Sequence, residues 1–276
     1  MYHKPIFTFL GNEVNLYGIF IAVGILACIG VFYLYTKKKG VPALIQDFVF
    51  YIAVASIAIG FLFAKIFQAF YVFLDTGKFD FSSAGITVMG GLIGGAGTFL
   101  LIYFIAGKFI YKGKNKDLHK KWFNEIFLVA PICITIAHAF GRIGCLFGGC
   151  CYGTYLGTEY VPGGIKMCTI TGLHDNCVWG YYIPTQLYEA LFLFALFAVL
   201  SILYFKRSNI IMAIYLISYG VWRFLIEFLR ADPRAVSGAL SPSQWQSFIF
   251  IGLGIAILVF YKIKKIPFRL PKEDKQ

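Results

Sequence analysis

Two arginines stand inside stretches that otherwise read as lipid-embedded helix. Arg142 lies in IAHAFGRIGCLFGGCCYG, and Arg223 lies in YLISYGVWRFLIEFLR, one helical turn before Glu227. An ionised side chain near the bilayer centre costs about 2.5–3.5 kcal/mol even on insertion scales, so it is seldom placed there without a partner or a function. Guanidiniums on two separate spans predict a buried anion site, and the natural anion in a membrane is a phospholipid headgroup. His138 precedes Arg142 by four residues, so an imidazole and a guanidinium share one helix face. Glycines 141, 144, 148, 149 and 153 predict a compact turn after Arg142 whose N–H groups can meet phosphate oxygens. The plainer readings are a snorkelling arginine at a Gly-rich helix end and a hydrogen-bonded packing histidine.

Arg223 and Glu227 are also spaced i, i+4, with Tyr219 one turn before and Arg230 three residues beyond. An intrahelical ion pair would let both charges enter the membrane. It would also leave guanidinium donors spare, because Arg has five N–H groups and a carboxylate takes two. Arg230 and Arg234 fall near the membrane edge, within reach of headgroups. Pro184-Thr-Gln-Leu-Tyr-Glu189 opens an apolar stretch, placing Gln186, Tyr188 and Glu189 in the first turns of a helix, where capping is the simple role. Ser241-Pro-Ser-Gln244 opens another in the same manner.

GGLIGGAG at 90–97 pairs Gly90 with Gly94 and Gly91 with Gly95 at four-residue spacing, which predicts close helix packing and also permits a lipid to approach the backbone. It lacks the GK[ST] ending of a nucleotide loop. Seven cysteines occur. Cys28 and Cys133 read as apolar filler, and Cys145, Cys150 and Cys151 cluster after Arg142. Cys168 is suited to a disulfide with Cys177, or with Cys150 or Cys151, on an oxidising face. A zinc site from Cys150, Cys151 and His174 has no CxxC pair behind it, so no metal is expected.

The elements that must position these residues follow from composition. The chain is 59% hydrophobic and 14% charged, with mean hydropathy +0.74, which exceeds what a soluble domain can bury. An all-α integral membrane protein is expected, with about seven transmembrane helices near 17–36, 47–74, 86–107, 125–143, 184–205, 209–229 and 244–262. The net charge of +12 would suggest nucleic acid in a soluble protein, but here the lysines fall between apolar spans, and no nucleic acid is expected. Alternating sides places 17 of the 25 Lys/Arg on one face, so the positive-inside rule predicts the N-terminus outside and the C-terminus cytoplasmic. Residues 1–276 then form one polytopic domain with an outward loop at about 144–183. Residues 1–15 carry no cleavable signal pattern, and the first span reads as a retained anchor.

GRIGCLFGGCCYG, taken with PTQLYE, RFLIEFLR and LSPSQ, resembles the phosphatidylglycerol–prolipoprotein diacylglyceryl transferase family, and the likeness runs from Tyr17 to Gln244. The resemblance implies a seven-span enzyme of the bacterial cytoplasmic (inner) membrane with its active site toward the outer leaflet. Such an enzyme moves diacylglyceryl from phosphatidylglycerol to the lipobox cysteine of a prolipoprotein and releases glycerol phosphate. It implies further that Arg142, Gly153, Arg223 and Glu227 bind lipid or assist transfer, and that Tyr17 matches an important tyrosine. Three departures stand out: Met89 where the family commonly has histidine, Cys145 where better-known members have Asn, and Cys150 where they have Glu. This GCLFGGCCYG form resembles a divergent branch, in which His138 is a replacement for the missing histidine.

The residues support that chemistry on their own terms. A thiol with pKa near 8.5 must lose its proton before attacking a glycerol carbon, and His138 can accept it. Arg142 and Arg223 can stabilise the charge that grows on the departing phosphate in a poorly hydrated site. No cofactor or metal is needed. Two alternatives share the same arginines: a related phosphatidylglycerol-dependent transferase with another acceptor, and a non-catalytic protein that binds or transports anionic lipid.

Overall fold

The computed structural model describes residues 6–9, 12–77, 81, 87–170, 177–231 and 240–269. Among the described residues, seven helices are long and apolar enough to cross a membrane. They are α1 (Leu16–Lys38), α2 (Ala43–Thr76), α3 (Val88–Ile110), α4 (Leu118–Gly148), α5 (Thr185–Phe205), α6 (Ile211–Ile226) and α7 (Pro242–Ile263). Strands are few among the described residues. β1 (Phe7–Phe9) and β2 (Asn12–Val14) form a hairpin, and β3 (Tyr155–Gly157), β4 (Ile165–Ile170) and β5 (Cys177–Tyr182) form an antiparallel sheet in the order β3-β5-β4. Both short sheets fall outside the apolar spans, and the fold is the helical one expected.

α4 is longer at both ends than its hydropathy suggests. The helix continues through Gly141, Gly144 and Gly148, so the turn expected directly after Arg142 begins only at Gly149, where φ is +68°. The reason lies in packing: Gly144 and Gly148 form a flat strip on α4 against which the Tyr17 ring and backbone rest, at 3.2–3.4 Å from where a Cβ would stand. Gly24 on α1 meets Ala137 and Phe140 in the same way, and Phe20 stacks on Phe147 at 5.1 Å. Small residues let two helix backbones approach where no hydrophobic force drives them together in lipid.

The chain divides into two compact units, residues 1–32 with 127–276, and residues 33–126. In the smaller unit α2 and α3 pack through glycine. A Cβ on Gly90 would meet Phe67 and the Phe63 carbonyl at 2.7–2.8 Å, Gly91 lies over Ala64, and Gly94 is closed against the Phe63 ring. Met89 is described by its backbone alone. The Tyr103 hydroxyl donates to the His119 carbonyl at 2.6 Å and closes the lysine-rich turn between α3 and α4.

In the larger unit α6 and α7 lock reciprocally. A Cβ on Gly220 would strike Ile251 and the Ser247 carbonyl at 2.8–3.0 Å, and one on Gly254 would strike Ile217 and the Ala213 carbonyl at 2.6–3.0 Å. α5 joins them through Phe192 stacked on Trp222 at 4.4 Å. α7 begins with a capping box, Ser241 and Gln244 exchanging side-chain and backbone bonds, as the SPSQ spacing predicts. Outward-facing Leu26, Phe61, Leu101 and Leu253 are exposed, whereas Gln186, Glu189, Arg223, Ser243 and Ser247 are buried. An apolar surface over a polar interior is the arrangement a bilayer demands, since lipid tails solvate Leu but not charge. The protein is a multi-pass membrane protein.

Candidate active site

The site lies wholly in the larger unit, built from α4, α5, α6 and the start of α7. His138 and Arg142 sit one turn apart on α4, and Arg142 Nε donates to His138 Nε2 at 3.2 Å. An N–H directed at Nε2 meets a lone pair there only while the ring is neutral with its proton on Nδ1. The same Arg142 Nε lies 3.0 Å from Glu189 Oε2. Glu189 is only 2% exposed. Its other oxygen accepts from the Tyr219 hydroxyl at 3.2 Å and lies 3.8 Å from His138 Nε2. The His138 ring meets Tyr219 edge-on at 5.3 Å.

Glu189 is therefore not a capping or outer-edge residue, the simple role its place in PTQLYE suggests. It is the fifth residue of α5, the helix start at Pro184 has no side-chain cap, and its carboxylate is the counter-ion of Arg142 across the helix interface. An unpaired arginine at that depth would be far costlier than a pair, which is why the two charges occur together.

Arg223 is buried on α6. One terminal nitrogen, Nη2, reaches Glu227 Oε2 at 2.8 Å and the Ser243 hydroxyl at 2.7 Å. The Gly220–Ser247 approach places Ser243, one turn earlier on α7, opposite Arg223. Its Nη1 is buried and has no hydrogen-bond partner among the described residues. The intrahelical pair and the spare donor are thus both present, as the Arg-Glu spacing implies. Both guanidiniums act electrostatically on His138 and on Tyr219, and both feel Glu189. The two arginines converge on one buried cluster.

Other predicted residues occupy different places. The Gln186 side chain is buried; its Nε2 donates to the Cys150 carbonyl at 2.6 Å while its Oε1 has no partner among the described residues. Tyr188 points instead to the turn before β4, its hydroxyl donating to the Gly163 carbonyl at 3.4 Å. Gly153 forms an antiparallel bridge with Arg230 and donates to the Ile183 carbonyl at 2.9 Å; a Cβ there would lie 2.5 Å from the Leu229 carbonyl. Its place is dictated by backbone packing. Gly90 and Gly91 belong to the smaller unit, where they pack helices. Tyr17, at the start of α1, has a hydroxyl that feels Arg142 and all of Cys145, Cys150 and Cys151.

The spacing puts Tyr219 one turn before Arg223 without giving it a role, and Ser243 reads only as part of a helix start. Tyr219 had a usable signal, since 219, 223 and 227 fall on one helical stripe. Ser243 had none beyond its polarity. Among the cysteines, Cys168 is disulfide-bonded and Cys150 and Cys151 are free, so a bridge back to either does not form. The zinc set using His174 lies outside the described residues, as does Arg234. The three thiols of Cys145, Cys150 and Cys151 instead lie together, and the other two act on Cys151. Hydrogen bonds from Cys145 and Cys150 hold its thiol well below the ordinary range, with Arg230 and Arg142 adding to the effect.

Comparison with known proteins places the chain. The model of the family described as prolipoprotein diacylglyceryl transferase matches residues 5–260. The chain is similar to the phosphatidylglycerol–prolipoprotein diacylglyceryl transferase of Clostridium tetani (strain Massachusetts / E88), 32% identical over 275 residues, 95% of this chain and 99% of that protein. It is also similar to the protein of that name from Streptococcus pneumoniae (strain ATCC 700669 / Spain 23F-1), 34% identical over 246 residues, 87% of this chain and 86% of that one. The chain belongs to the prolipoprotein diacylglyceryl transferase family.

Proposed function

We propose that this protein transfers diacylglyceryl from phosphatidylglycerol to the cysteine thiol of a prolipoprotein lipobox. Family membership carries the reaction class, and one observation carries the site: two arginines from different helices converge on a single buried cluster, one of them with a buried terminal nitrogen that has no hydrogen-bond partner among the described residues. Phosphatidylglycerol supplies the anion that such donors fit. The lipid and the lipobox peptide both reach the site laterally from the bilayer.

The transfer forms a bond between the cysteine sulfur and the glycerol carbon that carries the phosphate ester. The carbon–oxygen bond breaks, and its electron pair leaves with glycerol phosphate. The phosphodiester bears one negative charge and the leaving monoester develops a second, so donors already aimed at the phosphate bind it more tightly as the bond opens. Arg223 Nη1 is the donor held ready, and Arg142 adds the second positive charge. The thiol proton passes to His138 Nε2, whose lone pair Arg142 occupies at rest. Binding of a phosphate draws that guanidinium away and frees the nitrogen. Glu227 and Ser243 fix the plane of Arg223, and Glu189 with Tyr219 does the same for Arg142. Tyr17 closes the site on the α1 side, and Gln186 lines it through its unpaired Oε1.

The charge distribution supports a topology in which the N-terminus and the 149–183 segment face outward and the lysine-rich turns face the cytoplasm of a bacterial inner membrane, in one polytopic domain. The test is direct. Purified protein in phosphatidylglycerol vesicles, given a synthetic lipobox peptide, yields a heavier thioether-linked peptide by mass spectrometry, and vesicles of phosphatidylcholine yield none. Folded wild-type protein that gives no product overturns the proposal.

A further inference from the structure

The last turn of α4 and the turn that follows it carry three thiols, Cys145 on the helix and Cys150 and Cys151 beyond it, that the transfer step above does not use. The Sγ atoms of Cys145, Cys150 and Cys151 lie within 4.8 Å of one another, and all three are free thiols. The turn is held from three sides. Gly149 adopts φ +68°, with the Cys168 carbonyl 2.7 Å from where a Cβ would stand. Gln186 Nε2 donates to the Cys150 carbonyl at 2.6 Å, and Thr185 Oγ1 donates to the Cys151 carbonyl at 2.7 Å. Cys151 itself sits at φ +61°, a conformation that costs a non-glycine residue about 1–3 kcal/mol and persists only where the surroundings enforce it. Packing alone does not call for such a backbone, since alanine or serine fills the same space. Its consequence is to aim three sulfurs at one point.

Tetrahedral zinc holds thiolate sulfur at about 2.3 Å, which sets sulfur–sulfur separations of about 3.8 Å. The trio has at most about 1 Å to close. Oxidation is the competing fate, and the geometry disfavours it. Neighbouring Cα atoms across a trans peptide are about 3.8 Å apart, less than the roughly 4.4 Å an ordinary disulfide needs, so Cys150 and Cys151 are poorly placed to pair. Any other pair leaves one thiol over. A single ion engages all three. Three thiolates with a divalent cation carry one net negative charge, and Arg142 and Arg230 both act on Cys151 to offset it.

We propose that Cys145, Cys150 and Cys151 form a three-thiolate site for one soft divalent ion of the zinc class, with the fourth coordination position left to an external donor. Zinc with three protein ligands and an open position is the arrangement that exchanges ligands, unlike a closed four-ligand structural site. The Tyr17 hydroxyl feels all three cysteines and Arg142, so that exchange takes place beside the arginine cluster. The site is a claim about binding and stands whether or not the chain is a transferase.

Full-length protein in detergent, reduced and kept anaerobic, is titrated with Co²⁺. One equivalent binds, with intense near-ultraviolet thiolate-to-cobalt absorption and the visible bands of tetrahedral coordination, and Zn²⁺ displaces it. Cys150→Ser, at the exposed position, loses the near-ultraviolet band and no longer retains zinc through gel filtration. Cys133→Ser, buried within α4, keeps both. Alkylation without metal labels all three thiols, and prior Zn²⁺ protects them. A wild-type protein with no thiolate band overturns the proposal, as does a band that survives Cys150→Ser. So does a trio that alkylates only after added reductant, since that marks a disulfide.

Discussion

Arg142 and Glu189 form a buried ion pair between α4 and α5, Nε 3.0 Å from Oε2, and the second carboxylate oxygen accepts the Tyr219 hydroxyl of α6 at 3.2 Å. One carboxylate thus ties three helices and keeps a guanidinium charged at membrane depth. Glu189→Gln keeps the shape and removes the charge, leaving Arg142 uncompensated. Breaking one partner of such a pair costs about 3–5 kcal/mol. Thermal stability in detergent is expected to fall by that order, and transfer to the lipobox peptide is expected to be lost. A Glu189→Gln protein as stable and as active as wild type would show the pair to be dispensable.

Arg223 Nη1 is buried with no hydrogen-bond partner among the described residues. Arg223→Lys retains a positive charge but cannot reach Glu227, Ser243 and a phosphate together, because an ammonium lacks the planar fork. Loss of one donor aimed at developing charge costs about a hundredfold to a thousandfold in kcat. Arg223→Lys is expected to lose turnover by that factor while inserting and folding normally. Ser243→Ala, which removes the bond that orients the guanidinium, is expected to lose about tenfold to a hundredfold. Single-turnover rates with saturating lipid separate these from weaker binding.

The seven spans were legible because a run of about 20 apolar residues has few other uses. Arg142, Arg223 and Glu227 were legible because charge inside such a run is conspicuous. Glu189 was visible, but its surroundings in the sequence point to a different role. In PTQLYE it stands near a helix start, where a carboxylate suits the backbone dipole, and nothing local reveals that α4 brings Arg142 opposite. Ser243 reads as part of a cap for the same reason. The length of α4 was hidden by its glycines, which suggest a turn in sequence but serve as the strip on which Tyr17 rests. Partners across a helix interface depend on crossing geometry, and crossing geometry depends on small residues such as Gly220 and Gly254 that carry no chemical signal of their own.

His138 has its lone pair directed at Arg142 in the resting site. A base at this position matters while the acceptor thiol is protonated and ceases to matter once the thiol ionises unaided, near and above about pH 8.5. His138→Ala is therefore expected to reduce the rate strongly at neutral pH, with the deficit shrinking as pH rises. A pH–rate profile of the variant against wild type measures it. An equal loss at every pH assigns His138 to packing against Tyr219 and to holding Arg142.

Gly153 separates a lipid-binding role from a structural one. It has no side chain to offer a headgroup, and its backbone is committed to Arg230 and Ile183. A Cβ would stand 2.5 Å from the Leu229 carbonyl and 2.9 Å from Ile183 Cβ, both parts of the frame rather than flexible side-chain ends. Forcing a methyl group into a packed site costs about 1–3 kcal/mol, and here the strain falls on the backbone bridge between Gly153 and Arg230. Gly153→Ala is expected to lower thermal stability by that order and to shift Arg230 away from Cys151. Activity lost in step with folding, and recovered in the folded fraction, marks a packing residue. Full stability with weakened binding of phosphatidylglycerol places the lipid phosphate against the Gly153 backbone instead.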